Sequence, residues 1–196
     1  MDTPKPNIYL IPRWAGNIHS DWYDWLELEI KNNYQIEIQR LEMPDWNEAD
    51  IEKSTQFLAE KIPELNNNTY FIGHSVGCLA ILHFLNKQLE ADKELKTGGF
   101  LFVAGWFEVD KPWISLKPWF RTENLDFPLL SKQIDFKKVV LSDNDPFTSN
   151  YNRNKSLWEK HLNADVRLYH DKLRFNQPEE MEVLKEIEEM ISYALK

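Results

Sequence analysis

The pentapeptide Gly73-His74-Ser75-Val76-Gly77 places a hydroxyl between two glycines. Upstream, TYFIG (69–73) is an apolar strand pattern. Downstream, VGCLAILHFLNK (76–87) is a helix pattern that is apolar almost all round, as a central, buried helix would be. A serine on a sharp strand-to-helix turn stands above its sheet at a helix N-terminus, with the Val76 N–H aimed at a developing oxyanion. Such a turn needs small neighbours, which Gly73 and Gly77 supply. Composition alone would produce G-x-S-x-G about 0.01 times in a chain of this make-up, so a nucleophile elbow is the expected reading. The serine then requires a base to take its proton.

The elements that must position Ser75 alternate between strand and helix. Apolar NIYLIP (7–12) reads as a buried strand ended by Pro12. Residues 20–31 carry Trp22, Trp25, Leu26 and Ile30 on one helical face, with Ser20 or Asp21 as N-cap. YQIEIQRL (34–41) alternates with period two. Residues 50–62 form a helix stopped by Pro63. Strands are expected at 98–104, 136–142 and 165–170, a helix over 148–162, and a last helix opened by Pro178. Six strands alternating with helices predict an α/β chain, a parallel six-stranded sheet with helices on both faces. Sites in such sheets form at the carboxyl ends of the strands, beside the point where strand order reverses. The turns to inspect are 12–20, 73–77, 105–128, 142–148 and 170–178.

Composition limits what this site can serve. The 196 residues suggest one domain, 1–196, with 42% hydrophobic and 28% charged residues. A net charge of −9 argues against a nucleic-acid face and against adhesion to anionic membranes. No apolar run reaches the roughly 20 residues needed to span a bilayer, and MDTPKPN has no signal-peptide character. A cytoplasmic location is expected, with no metal and no cofactor. The lone Cys78, just after the elbow, reads as a small buried hydrophobe. Eight Trp is many for this length. Trp106, Trp113 and Trp119 lie with Phe107, Phe120 and Phe127 in one segment, 106–128, after a strand end. That segment suits a pocket wall for an acyl or aromatic group, a folded-over loop, or a partner surface.

Several stretches together resemble the small single-domain serine hydrolases related to retinoblastoma-binding protein nine. They are Pro12-Arg13-Trp14-Ala15-Gly16, DWYDWL (21–26), MPDW (43–46), GHSVGC (73–78) and SDNDPF (142–147). The resemblance covers almost the whole chain and implies a compact α/β-hydrolase fold with a Ser/Asp/His triad acting on carboxylic esters or related bonds. It places the nucleophile at Ser75 and the acid at Asp145, with Asp143 as the alternative. The oxyanion loop falls at 13–16, so that Trp14 and Val76 provide its backbone donors.

The family's histidine lies in a Gly-His-Phe stretch, which falls here on Leu173-Arg174-Phe175. Arginine stays protonated and cannot act as a general base. Among the five histidines, His74 inside the elbow reads as structural, His83 as a helix-side contact and His161 as a helix C-terminal donor. His19 lies at the correct end of the sheet. His170, four residues before Arg174, is the best substitute base, if its ring reaches Ser75 and Asp145. A locked Asp145–Arg174 ion pair is the competing expectation.

Three functions therefore stand open. The first is a serine hydrolase of small esters or amides using Ser75, Asp145 and His170. The second is an inactive hydrolase-fold module binding a small molecule or a protein partner. The third is an anion site using Arg13 and Arg174.

Overall fold

The computed structural model describes residues 4–48, 50–110 and 114–196. Six strands form one parallel sheet: β1 (Asn7–Ile11), β2 (Ile38–Arg40), β3 (Thr69–His74), β4 (Thr97–Val103), β5 (Ile134–Ser142) and β6 (Asp165–Tyr169). Their spatial order is β2-β1-β3-β4-β5-β6. The order reverses between β1 and β3, so a crevice opens at the carboxyl ends of those two strands. Ile11 pairs with Gly73 in the register, which brings the end of β1 beside the elbow.

Side chains alternate across the sheet and define two cores. Tyr9, Ile11, Phe71, Phe100 and Phe102 face one way. There they meet α2 (Ile51–Lys61), α3 (Val76–Ala91), α4 (Phe127–Gln133) and α5 (Tyr151–Leu162). Ile8, Leu10, Ile72, Leu101 and Val103 face the other way, against α1 (Tyr23–Tyr34) and α6 (Met181–Ala194). Helix α3 is buried along most of its length, as its near-continuous apolar sequence predicts. The described helices include none long and apolar enough to cross a membrane.

The departures from the sequence pattern have local causes. Helix α1 starts at Tyr23 because Ser20 and Asp21 do not cap it. Asp21 takes a left-handed φ of 54° and gives its carboxylate to Arg13 and Asn176. Tyr34 completes α1, so only Ile38–Arg40 remains for β2. Helix α6 begins at Met181, after the buried Glu180. The aromatic segment folds into a 3-10 turn over Ile114–Phe120 followed by α4, whose first turn is capped by the Asp126 carboxylate. Trp113 lies outside the described residues.

Candidate active site

Ser75 stands between β3 and α3 with φ 57° and ψ −120°, a conformation that a non-glycine residue holds only under constraint. Its N–H donates to the Val103 carbonyl at 2.8 Å, tying the turn to β4. Gly77 is required by close approach: a Cβ there would lie 2.4 Å from the Ile11 carbonyl oxygen. Helix α3 can thus sit directly on the end of β1. Val76 is the first residue of α3, so its N–H has no acceptor within the helix. Cys78 is fully buried, its Sγ 3.3 Å from the Gly73 carbonyl oxygen, and burial pushes its thiol pKa up. It is a core residue, not a reactive thiol.

The group facing Ser75 is Arg174. Its Nη2 donates to Ser75 Oγ at 2.5 Å. The guanidinium carbon lies 4.9 Å from the centroid of Trp106 and 4.3 Å from that of Phe147, over two rings that are themselves neighbours 5.5 Å apart. Its Nε is buried without a hydrogen-bond partner. Burial pulls the Arg174 pKa below its ordinary value, but a guanidinium so shifted still carries its proton at any ordinary pH.

The loop that presents Arg174 is heavily tied down. Leu173 and Phe175 both take left-handed φ, 49° and 55°. The Leu173 N–H donates to Asn144 Oδ1 at 2.7 Å, and the Lys172 N–H to Ser142 Oγ at 3.0 Å. Trp22 Nε1 donates to the Phe175 carbonyl at 2.8 Å, while a nitrogen of His74 bonds the Arg174 carbonyl at 2.8 Å. The site contacts of Asp21, Asn176, Trp22 and Asn144 cannot be read from residue type, which puts Asp21 at an N-cap and Trp22 on a helix face. The carboxyl-end rule for parallel sheets marks the turns that hold Asn144 and Asn176, 142–148 and 170–178, whereas Asp21 and Trp22 lie just past 12–20.

Asp145 does not pair with Arg174: the two make no ion pair within 4 Å. Asp145 Oδ2 instead accepts from Trp106 Nε1 at 3.0 Å, and Oδ1 accepts from the Phe147 N–H at 2.9 Å. Both oxygens are thus engaged by uncharged donors. Burial raises its carboxyl pKa to about 6.

None of the histidines contacts Ser75. His170 is exposed and pairs with Asp143 Oδ2 at 2.5 Å, which raises its pKa. Asp143 also accepts from the Asp171 N–H, and that bond is the larger cause of its lowered pKa. His19 pairs with Asp24 at the surface. His83 bonds the Trp119 carbonyl at 3.2 Å, and His161 stacks on Phe127 at 4.2 Å. His74 is fully buried between Tyr23 and the 174 loop, and burial lowers its pKa to about 4.

The two arginines have different roles. Arg13 is committed: its Nε donates to Asp21 Oδ2 at 2.7 Å and its Nη1 to the Trp14 carbonyl at 3.3 Å. Trp46 Nε1 donates to the Arg13 carbonyl at 2.5 Å and meets Trp119 edge to face. Trp14 packs against the same core, and Trp119 is fully buried in it. Trp106 therefore borders Arg174 directly, whereas Trp119 touches Trp46, which bonds the Arg13 carbonyl.

Comparison with known proteins agrees with this architecture. The profile of the family described as "Serine hydrolase" matches residues 8–166. YdeN of Bacillus subtilis (strain 168) is 28% identical over 139 residues, 70% of each chain. The crystal structure of the B. subtilis ydeN gene product superposes with a TM-score of 0.80 at 21% identity, covering 96% of this chain and 100% of that one. Est1E of Butyrivibrio proteoclasticus, solved with ferulic acid bound, superposes with a TM-score of 0.67 at 10% identity, covering 97% and 90%.

Proposed function

The chain belongs to the serine hydrolase family, and from that premise we propose that it keeps the family's elbow as a binding site while lacking its proton acceptor. It is a one-domain, hydrolase-fold binder of a small molecule bearing a carboxylate or phosphate group. The observation that carries this reading is the 2.5 Å bond from Arg174 Nη2 to Ser75 Oγ. A guanidinium has only donors, so the serine proton has nowhere to go. Without a base, an elbow retains only the residual catalysis of its oxyanion donors and binding contacts.

The same groups suit an anion. Arg174 offers N–H donors over two adjoining aromatic faces, and the Val76 N–H adds the positive end of α3. Arg13 is spoken for by Asp21, so the charge falls to Arg174 alone. The finer kinship, to the group related to retinoblastoma-binding protein nine with Arg174 at the histidine position, is part of this reading. The phenylalanine that follows and the left-handed φ at Leu173, where the group has glycine, support it.

A fluorophosphonate probe, which labels activated serines, tests the first half. The wild type is expected to show no labelling above that of Ser75→Ala. Strong labelling that Ser75→Ala abolishes would sink the proposal. Thermal shifts with a panel of simple carboxylates and inorganic phosphate test the second half. At least one is expected to stabilise the wild type and to have no effect on Arg174→Met.

A further inference from the structure

Asp145 has a set of partners that a catalytic triad would not use. In a triad, the acid's carboxylate receives the imidazole N–H. Here Oδ2 receives the Trp106 indole N–H and Oδ1 the Phe147 backbone N–H. Trp106 and Phe147 are the two residues whose adjoining rings the Arg174 guanidinium lies over. One carboxylate thus holds both residues that form the arginine's aromatic support. The rings lie 5.5 Å apart at an interplanar angle of 37°, a wedge rather than a parallel stack. Arg174 receives no carboxylate within 4 Å, so the ring faces and Ser75 Oγ are what hold it.

We propose that Asp145 is a positioning residue for Arg174, acting through Trp106 and Phe147 to fix the aromatic surface that aims the guanidinium at Ser75. The Oδ1 bond alone has a local explanation, because an aspartate often binds the N–H two residues on in a turn. The Oδ2 bond has none. It crosses from the β5–α5 turn to the segment after β4, 39 residues away in sequence. Both partners are almost fully buried. Burying the carboxylate is unfavourable, as its raised pKa shows. A neutral side chain would fill this place more cheaply, so retaining a charged acceptor fits a positioning duty better than a packing one.

The proposal rests on reading Arg174 as the ligand-facing group, but its test does not require a ligand. The Arg174 Nε–H resonance, identified by its loss in Arg174→Lys, reports the order of the guanidinium at pH 7. Trp106→Phe keeps a six-membered aromatic face and removes the N–H together with the rest of the five-membered ring. It is expected to speed exchange of the Arg174 Nε–H with water at least tenfold. Asp145→Ala is expected to do so by more, and Asp145→Asn, which keeps one acceptor oxygen, by less. Unchanged exchange in folded Trp106→Phe would overturn the proposal, and that variant decides the matter even if Asp145→Ala does not fold. Fluorophosphonate labelling of the wild type would remove the binding role and leave this result standing, so the two failures are distinguishable.

Discussion

His74 Nε2 donates to the carbonyl of Arg174 at 2.8 Å, across 100 residues of chain. A carbonyl can only accept, so Nε2 carries the proton and, in the neutral ring, Nδ1 accepts from the Tyr23 hydroxyl at 2.8 Å. Tyr23 in turn accepts the Arg13 N–H at 3.1 Å. The direction of every bond in this chain follows from the neutral imidazole, whose pKa burial lowers to about 4.

The first prediction follows from that protonation state. A group with a depressed folded pKa contributes stability above its unfolded value, and that stability is lost as pH falls through the folded one. His74 should therefore destabilise the protein progressively between pH 6.5 and about 4. Urea unfolding across this range should show a shallower loss in His74→Asn than in the wild type. Equal slopes would mean that His74 does not titrate in the folded chain.

Asp145 has the opposite sign. Its folded pKa of about 6 lies above the ordinary 3.8, so its contribution is fullest below 3.8 and is lost as pH rises through about 6. The shift corresponds to about 3 kcal/mol. Asp145→Asn should therefore gain stability relative to wild type as pH rises from 4 to 7, by up to that amount. Unfolding midpoints of the pair, compared at each pH, separate this from the His74 effect. A difference that stays constant with pH would contradict the assignment.

Restoring the base alone should not restore the chemistry. In Arg174→His the imidazole would meet an Asp145 whose Oδ2 still holds the Trp106 indole N–H. Fluorophosphonate labelling of Arg174→His is expected to be weak, and of Arg174→His with Trp106→Phe at least tenfold stronger. Equal labelling of the single and double variants would show that Trp106 does not compete.

The Leu173 backbone gives a stability prediction. An L-residue in the left-handed region costs about 1–2 kcal/mol, and Leu173 is 49% exposed, with little packing to lose. Leu173→Gly should stabilise by about 0.5–1 kcal/mol after the larger unfolded-state entropy of glycine is deducted. Equilibrium urea denaturation measures it, and a net loss would mean that the side chain contributes more than its exposure suggests.

Gly77 allows no such freedom. The Cβ of Gly77→Ala would press on the Ile11 and Pro12 carbonyl oxygens, 2.4 and 2.8 Å away. Both belong to backbone that cannot rotate aside. A loss of about 3 kcal/mol or more is expected in the same assay.

The sequence made the sheet and the elbow legible because each rests on local pattern. The glycines around Ser75 report a turn, and the apolar runs report buried strands. What stayed hidden was which partner each polar group takes. Arg13 and Arg174 look alike on either side of the elbow, yet Asp21 captures one and leaves the other facing Ser75. Asp145 and Arg174 look like an ion pair, yet an indole and a backbone amide fill the carboxylate first. Partner choice among several donors is settled by distances of an ångström or two, which spacing along a chain does not record. The helix starting at Tyr23 rather than Ser20 has the same origin, since Asp21 is drawn into the site instead of capping.

The carbonyls of Arg174 and Phe175 are grasped by His74 from the sheet and by Trp22 from the start of α1. This makes the arginine's mount a stiff bracket spanning two layers of the molecule. The bracket fixes where the side chain starts, and Ser75 Oγ with the rings of Trp106 and Phe147 fixes where its guanidinium ends. On the proposed anion-binding reading, selectivity would then be set by the shape of the arriving molecule, which must bring its anion to a fixed address.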